Sequence, residues 1–300
     1  METNQITPPK LLVLVGETAS GKSDLAMKLA QEFDGELICA DSWTVYKDFD
    51  IGTAKPTMLE RAQIPHHLLD VADARGGFSA VIFQQLAESA INAIVARGKL
   101  PILVGGTGLY IDSVIYHYGF LAPPPPELRQ ELNGLSLDQL IERAKAGGLP
   151  IDSVDMRNKR RVIRLIENDG QLPTKQPLRP NTLILGLSVP REQLAERITA
   201  RVDKMLDMGL MQETQKLAGE YGWDAEPMKG IGYSQWKPYF LGTQNLAETR
   251  QKIIKATLDL AKRQRTWFKR NKSIHWLDAP VNLAATNALV NDFLSSELHD

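Results

Sequence analysis

Residues 16–23 read G-E-T-A-S-G-K-S, and this stretch decides the fold. It follows an apolar run at residues 11–15 and leads into a helical pattern at residues 25–30. A buried strand, a glycine-rich loop and a helix in this order form the context in which G-x-x-x-x-G-K-[ST] binds phosphate. In such a P-loop, backbone N–H groups and the positive end of the helix dipole converge on an anion. We therefore predict a phosphate-binding P-loop.

The composition narrows the function classes. The chain has 300 residues, enough for one large domain or two smaller ones, and its net charge of −1 argues against indiscriminate nucleic-acid binding. Cys39 is the only cysteine, so intrachain disulfides and cysteine-cluster metal sites are excluded. No leader-like segment follows Met1, and no apolar run approaches the ~20 residues that span a bilayer. We expect a cytoplasmic protein without a membrane partner.

Further apolar runs alternate with helical patterns along the first part of the chain. Residues 36–40 and 101–104 predict two more parallel strands, and residues 78–97 predict a crossover helix. Polar residues follow both strands, Asp41 after the first and Thr107 after the second. Because ligands bind beyond the carboxyl ends of parallel strands, we expect both residues to lie beside the P-loop.

The alternation stops at a proline run, residues 123–126, which predicts an extended linker. Helical patterns follow, and an apolar run at residues 181–189 returns the chain to the sheet. We predict an α/β fold in which a P-loop NTPase-like parallel sheet core is flanked by helices and carries a small helical insertion domain. The predicted boundaries are 1–122 for the first part of the core, 123–180 for the insertion and 181–300 for the return to the core with a basic C-terminal helix.

Two adjacent histidines, His66 and His67, superficially resemble a metal-binding pair. Neighbouring side chains point in different directions on any regular element, and no third ligand is spaced nearby. We therefore do not predict a metal site there.

Basic residues cluster in three places. Residues 157–164 carry arginines at positions i, i+3, i+4 and i+7, which share one face of a predicted helix. Arg197 and Arg201 are one turn apart on a later helix, a spacing that suits a diphosphate clamp. The helical pattern of residues 246–270 ends in basic residues interleaved with aromatic ones, which is typical of phosphate contacts beside a base-stacking platform. A large anionic partner is indicated.

A P-loop by itself favours a kinase or NTPase, with Asp41 as its candidate Mg²⁺-binding acid. An N-K-x-D base-reading motif is absent from the sequence, which argues against a GTPase. A small-molecule kinase has no need of the basic clusters. These residues alone therefore leave the reaction open.

Seven motifs, taken in order, resemble those of the tRNA dimethylallyltransferases (tRNA isopentenyltransferases, the IPP transferase family). They are G-E-T-A-S-G-K-S, I-C-A-D-S, Y-K-D-F-D-I-G-T-A-K-P, P-H-H-L-L-D, L-P-I-L-V-G-G-T-G-L-Y-I, R-R-V-I-R and A-K-R-Q-R-T-W-F, and the resemblance as a whole extends from about residue 11 to residue 277. The resemblance implies transfer of a dimethylallyl group from dimethylallyl diphosphate to N6 of the adenosine at position 37 of tRNA, next to the anticodon. It also implies Mg²⁺ as cofactor and the tRNA anticodon stem-loop as partner.

The same resemblance assigns roles to individual residues. It implies Asp41 as the general base, Thr107 as a hydrogen-bonding group near the reacting centre and Arg201 as a catalytic contact to the diphosphate. The implied residues for binding the diphosphate or a nucleotide are Gly16, Glu17, Thr18, Ala19, Ser20, Gly21, Lys22, Ser23 and Arg197, with Ser23 also the metal ligand. The implied tRNA contacts are Asp41, Ser42, Trp43, Thr44, Arg160, Arg161, Arg164, Lys229, Tyr233, Lys262, Arg263, Gln264, Trp267 and Lys269.

The chain departs from the family pattern at several positions. Glu17 stands where proline is usual and brings a negative charge to the phosphate loop, and Thr44 stands where many members have glutamine. The segment 127–156 is shorter than the helical insertion expected of the family, which predicts weaker binding of tRNA.

Other functions stay open at this point. One keeps the prenyl transfer but uses AMP or ADP as acceptor, as the adenylate isopentenyltransferases do. Another is an ATP-dependent P-loop kinase, and a third is a non-catalytic RNA-binding protein. The basic C-terminal helix argues against a mononucleotide acceptor, and the intact Lys22, Ser23, Asp41 and Thr107 argue against a site without catalysis. We expect the protein to be a monomer.

Overall fold

The computed structural model describes residues 8–122 and 124–296. Within these residues the centre of the fold is a six-stranded, all-parallel sheet with the strand order β3-β2-β4-β1-β5-β6. Its strands are β1 (Leu11–Gly16), β2 (Gly35–Ala40), β3 (His66–His67), β4 (Leu100–Gly105), β5 (Thr182–Ser188) and β6 (Ile274–Asp278). The predicted α/β fold with a parallel sheet core is confirmed.

The central strands are apolar because both faces of the sheet are covered. Every residue of β1, β2 and β4 is buried, as expected for parallel strands between layers of helices. In the register of the ladder, Gly105 lies opposite Val15 on one side and Ala40 on the other. A Cβ atom on Gly105 would come within 2.0 Å of the Ala40 carbonyl oxygen, so only glycine fits there. The P-loop and the residues after β2 and β4 thus share one edge of the sheet.

Helices connect the strands. They are α1 (Lys22–Glu32), α2 (Met58–Gln63), α3 (Ala80–Ala96), α4 (Gly108–Ile115), α5 (Pro126–Gly134), α6 (Leu137–Ala146), α7 (Lys159–Glu167), α8 (Arg191–Asp207), α9 (Leu210–Tyr221), α10 (Lys237–Phe240), α11 (Leu246–Phe268) and α12 (Leu283–Ser295). Buried residues of α1 and α12 pack with β1, β4 and β5, while α8, α9 and α11 form a second apolar cluster with the segment after β2. The second cluster places α8 and α11 beside the residues that follow Asp41.

The chain divides into two compact units, one built from residues up to 115 and from 178 onward, the other from residues 116–177. In the second unit α5, α6 and α7 enclose a small core of Leu132, Leu140, Val162 and Ile163. This unit overlaps the segment 123–180 for which the sequence predicts an insertion. The first residue of the predicted proline linker, Pro123, lies outside the described residues.

Several elements differ from the prediction. The helix predicted to carry the arginines of residues 157–164 begins at Lys159, because Asn158 caps it by accepting a hydrogen bond from the Arg161 backbone N–H. The short helices α2, α4 and α10 and the strand β3 were not predicted. Nor was α9, which starts directly after Gly209, a residue with φ of 98° that reverses the chain at the end of α8.

The two histidines lie in β3, and His67 Nε2 is 2.6 Å from Glu36 Oε2. The described residues contain no group of three or more His, Cys, Asp or Glu side chains placed to hold a metal ion. Cys39 is a buried free thiol in β2. Over the same residues, no helix is both long and apolar enough to cross a membrane.

We expect the Glu36→Gln variant to be less stable than the wild type at pH 7 and to differ less from it at low pH. Glu36 is 6% exposed, and the Arg97 hydrogen bonds lower the pKa of its carboxyl, against the opposing effect of burial, with His67 contributing as well. A carboxyl with a lowered folded-state pKa stabilises the fold above its unfolded pKa of about 4.3, and this contribution is lost as the pH falls through the folded value. The loss at pH 7 should be about 1 kcal/mol.

Chemical denaturation of both proteins at pH 7 and pH 4 measures this difference. Asp34→Asn is the matched control, since Asp34 is an exposed carboxylate paired with Lys99 near the same end of the sheet. A constant difference between Glu36→Gln and wild type at the two pH values would contradict the prediction.

Candidate active site

The P-loop backbone is shaped to face an anion. Ala19 and Gly21 have φ values of 61° and 92°, in the left-handed region that turns successive N–H groups toward one side of a loop. Glycine adopts this conformation without strain, and alanine does so at a small cost. Lys22 Nζ donates to the Glu17 carbonyl oxygen at 3.1 Å, which holds the lysine against the loop.

A cavity of about 590 Å³ opens above the P-loop. Its basic lining residues are Lys22, Lys28, Arg197 and Arg201. Arg197 Nη1 donates to the Ser20 carbonyl oxygen at 3.1 Å, and Arg201 Nη1 donates to Thr18 Oγ1 at 3.2 Å. The two arginines predicted as a clamp therefore both contact the phosphate loop from α8.

The charges of this cavity are poorly solvated. Burial and the charge of Arg201 lower the pKa of Lys22 to about 8, against the opposing effects of Asp41 and Glu17. Burial also lowers the pKa of Arg201, against Asp41 and Asp24. Cations that have lost water and repel one another gain most from a multiply charged anion, which makes the cavity a suitable diphosphate site.

Asp41 and Thr107 follow β2 and β4 at the same edge of the sheet, as their strand positions predict. Asp41 Oδ1 accepts hydrogen bonds from the backbone N–H groups of Trp43, at 2.8 Å, and Thr44, at 3.4 Å. Thr107 Oγ1 accepts one from the Ser42 backbone N–H at 3.0 Å. The threonine thus fixes the loop that carries the aspartate, and one carboxylate oxygen of Asp41 is committed to that loop.

A second, smaller cavity of about 80 Å³ lies next to Asp41. Its polar and charged lining residues are Thr18, Asp41, Thr53, Arg201 and Thr257. Its apolar side consists mainly of Ile198, Val202, Met205, Ile231, Ile253 and Leu260. Arg201 lines this cavity as well as the larger one, so a phosphate site and a small apolar site share one arginine.

The end of α11 closes the site from a third side. Gln264 is 8% exposed; its Oε1 accepts from the Thr18 backbone N–H at 2.8 Å, and its Nε2 donates to the Gly106 carbonyl oxygen at 3.0 Å. Trp267 Nε1 donates to Asp112 Oδ2 at 3.1 Å. These side chains connect the P-loop with the loop that carries Thr107.

The comparisons with known proteins identify the family. The family model described as IPP transferase matches residues 44–271. The chain is 42% identical to a tRNA dimethylallyltransferase of Anoxybacillus flavithermus over 280 residues, 90% of each protein, and 38% identical to one of Streptococcus pyogenes over 97% of this chain and 99% of that protein. The chain belongs to the IPP transferase family.

Solved structures agree with this assignment. A tRNA isopentenylpyrophosphate transferase from Bacillus halodurans superposes with a TM-score of 0.74 at 35% identity, covering 96% of both chains. A eukaryotic dimethylallyltransferase acting on tRNA superposes with a TM-score of 0.79 at 27% identity, covering 98% of this chain and 81% of that one. As an IPP transferase, the protein is a prenyl-group transferase, and the comparisons favour neither an adenylate acceptor nor an ATP-dependent kinase.

In the first unit, the residues that family resemblance assigns to tRNA differ in accessibility. Lys262, Arg263 and Lys269 are exposed on or just after α11, and Lys229 is exposed beside Glu226, at 3.0 Å. Ser42 and Trp43 are half-buried, and Thr44 and Gln264 are buried. The exposed cations are the members of this set that a phosphate backbone can reach.

Tyr233 is 1% exposed, and its hydroxyl donates to Glu213 Oε1 at 2.7 Å. The Glu213 carboxylate also accepts from the backbone N–H groups of Ile51 and Gly52, at 2.8 and 3.0 Å. Glu213 therefore holds the glycine-containing loop after Asp41 and the Tyr233 turn together. No pattern in the sequence indicated this role, because the helix that carries Glu213 was not predicted.

In the second unit, Arg160 and Arg161 are exposed on α7 and Arg164 is half-buried. A cavity of about 310 Å³ is lined by all three. The fourth arginine of the predicted basic face, Arg157, precedes the helix and pairs with Asp155 at 3.0 Å. The helical basic face is therefore smaller than the sequence pattern indicated.

Proposed function

We propose that this IPP transferase family member transfers a dimethylallyl group from dimethylallyl diphosphate to N6 of the adenosine at position 37 of tRNA. One observation supports dimethylallyl diphosphate as the donor. Arg201 lines both the basic cavity above the P-loop and the small apolar cavity beside Asp41. A donor with an anionic diphosphate and a short apolar chain matches two such cavities joined at one cation.

The proposed transfer is a displacement of diphosphate by adenine N6. Adenine N6 attacks the first carbon of the dimethylallyl group, the bond between that carbon and the diphosphate oxygen breaks, and its electron pair leaves with the diphosphate. Asp41 accepts the proton that N6 releases, through the carboxylate oxygen not committed to Trp43 and Thr44. Lys22 and Arg201 stabilise the charge that develops on the leaving group.

Magnesium fits this site together with the donor. The Ser23 hydroxyl is exposed on the wall of the larger cavity and would hold the ion, with diphosphate oxygens as further ligands. Bound there, Mg²⁺ neutralises negative charge on the diphosphate. The absence of a metal-binding cluster of acidic residues, Cys or His among the described residues is consistent with an ion that arrives with its phosphate ligands.

An anticodon loop is a suitable acceptor because its bases are accessible without opening a duplex. Reaching N6 requires the base to leave its stack, which costs a few kcal/mol and least in a loop. Cytoplasmic residence and a monomeric state stay predictions of the sequence analysis.

Incorporation of labelled dimethylallyl groups tests the proposed function. The purified protein is incubated with Mg²⁺ and radiolabelled dimethylallyl diphosphate, with bulk tRNA, AMP or no acceptor in parallel. Label in tRNA that is located at N6 of the adenosine at position 37 is the expected result. Label only in AMP would replace the proposed acceptor, and label in neither would refute the donor.

Arg161→Glu should weaken tRNA binding by about tenfold, because an exposed cation of α7 is replaced by an anion. The slope of the logarithm of the binding constant against the logarithm of salt concentration should become shallower by about one. Filter binding of tRNA at several salt concentrations measures both quantities. Lys145→Glu reverses an exposed charge on α6 in the same unit and serves as the control. Equal losses in the two variants would show that net charge, and not the α7 surface, decides binding.

A further inference from the structure

Glu17 lies in the P-loop and is buried although it carries a charge. The residue is 4% exposed, and its carboxylate forms a two-point ion pair with Arg265 of α11. In the second contact, Arg265 Nη2 lies 2.8 Å from Glu17 Oε2. The same Nη2 donates to the Val189 carbonyl oxygen at 2.9 Å, just beyond β5. One guanidinium therefore connects α11, the P-loop and the end of a central strand.

The next residue of each segment repeats the connection. The Thr18 backbone N–H donates to Gln264 Oε1, so two consecutive loop residues are held by two consecutive helix residues. Both loop residues in turn contact the cations of the phosphate site: the Glu17 carbonyl accepts from Lys22 Nζ, and Thr18 Oγ1 accepts from Arg201 Nη1. A displacement of the loop at residues 17 and 18 would displace both cations.

We propose that the Glu17–Arg265 pair is a positioning contact that fixes the P-loop for the diphosphate of the donor, an inference that rests on the proposed function. A lone carboxylate at this position would repel the donor. Paired with Arg265 it carries no net charge, and it anchors the backbone whose carbonyl oxygen holds Lys22. Both residues act through the loop and not through contact with the reacting atoms.

The double variant Glu17→Gln/Arg265→Met separates positioning from charge. It removes one negative and one positive charge, so the net charge beside the P-loop is the same as in the wild type. If the pair only balances charge, the KM for dimethylallyl diphosphate stays at the wild-type value. If the pair positions the loop, this KM rises by about tenfold, as expected for loss of a buried coupled pair, while the affinity for tRNA is unchanged.

A second ion pair on the same helix provides the control. Arg250 of α11 forms a two-point pair with Asp203 of α8, at 2.6 and 2.8 Å, and within the described residues no hydrogen bond or ion pair links either side chain to the P-loop. Asp203→Asn/Arg250→Met should lower the thermal midpoint without changing the donor KM. A similar rise of donor KM in both double variants would reduce the Glu17–Arg265 pair to a general stabilising contact and overturn the inference.

The outcomes for the two proposals are distinguishable. Wild-type protein that transfers no label from dimethylallyl diphosphate contradicts the proposed function, before any variant is compared. Wild-type protein that is active beside a double variant with a KM within twofold contradicts only the positioning role. If the double variant unfolds at the assay temperature, Arg265→Lys replaces it, because lysine keeps the positive charge but cannot form the two-point pair. The donor KM is then expected to rise by less than tenfold. An unchanged donor KM in Arg265→Lys would contradict the inference.

Discussion

Replacing Asp41 by asparagine should reduce turnover by about 10²-fold or more while leaving tRNA binding nearly unchanged, the usual scale for loss of a general base. The substitution is chosen because asparagine keeps the Oδ1 acceptor that binds the backbone N–H groups of Trp43 and Thr44. The loop therefore retains its local hydrogen bonds, and what is lost is the negative charge and the ability to take a proton from N6.

Single-turnover transfer of labelled dimethylallyl groups, with protein in excess over tRNA, measures the chemical step. Asp73→Asn is the matched control, since Asp73 Oδ1 accepts from the Arg75 backbone N–H at 2.8 Å in a similar turn. Wild-type turnover in Asp41→Asn would mean that another group accepts the proton. A large loss of tRNA affinity would instead assign Asp41 to acceptor binding.

The parts of this site that could be predicted depend on periodic apolar patterns. The runs before Gly16, Asp41 and Thr107 read as buried parallel strands, and the fixed register of such strands places the residues after them at one edge. Local spacing also predicted the arginine pair of α8, because residues one helical turn apart lie on one face. These inferences need only the sequence and the geometry of regular elements.

Contacts between distant segments could not be predicted in this way. Gln264 follows two exposed cations in the sequence, yet it is buried with hydrogen bonds to the backbone of residues 18 and 106. Tyr233 follows two glycines in a turn, and its hydroxyl donates to Glu213 from a helix that the sequence did not predict. Burial of these polar side chains depends on which segments meet in the fold, and no pattern within either segment encodes that meeting.

The basic face predicted for α7 contains fewer available arginines than its spacing indicates. Arg157 fits the helical spacing, but Asn158 caps α7 and leaves Arg157 outside the helix. Arg164 fits as well, but it pairs with Glu167, whose side chain is buried. Spacing identifies which cations share a face, while capping and neighbouring carboxylates decide which of them are available to a phosphate.

Arg201→Met should lower kcat/KM for dimethylallyl diphosphate by about 10²- to 10³-fold, the range seen when one preorganised contact to developing charge is removed. Arg201 is half-buried between the phosphate cavity and the apolar cavity, so its charge acts in a poorly solvated place. Methionine retains much of the apolar volume without the charge, which limits the structural damage.

Arg197→Met is the matched control, because Arg197 is one turn away on α8 but exposed, and its guanidinium contacts the loop through the Ser20 carbonyl oxygen. Water screens its charge, so its loss should reduce kcat/KM by no more than about tenfold. Steady-state rates with the donor varied at saturating tRNA compare the two variants. If Arg197→Met proves the more damaging substitution, the diphosphate binds nearer the outer end of the cavity, and the apolar cavity beside Asp41 loses its link to the donor. If Arg201→Met lowers kcat/KM more than Arg197→Met does, Arg201 contacts the leaving diphosphate. The same arginine then also borders the apolar chain of the donor, because it lines both cavities.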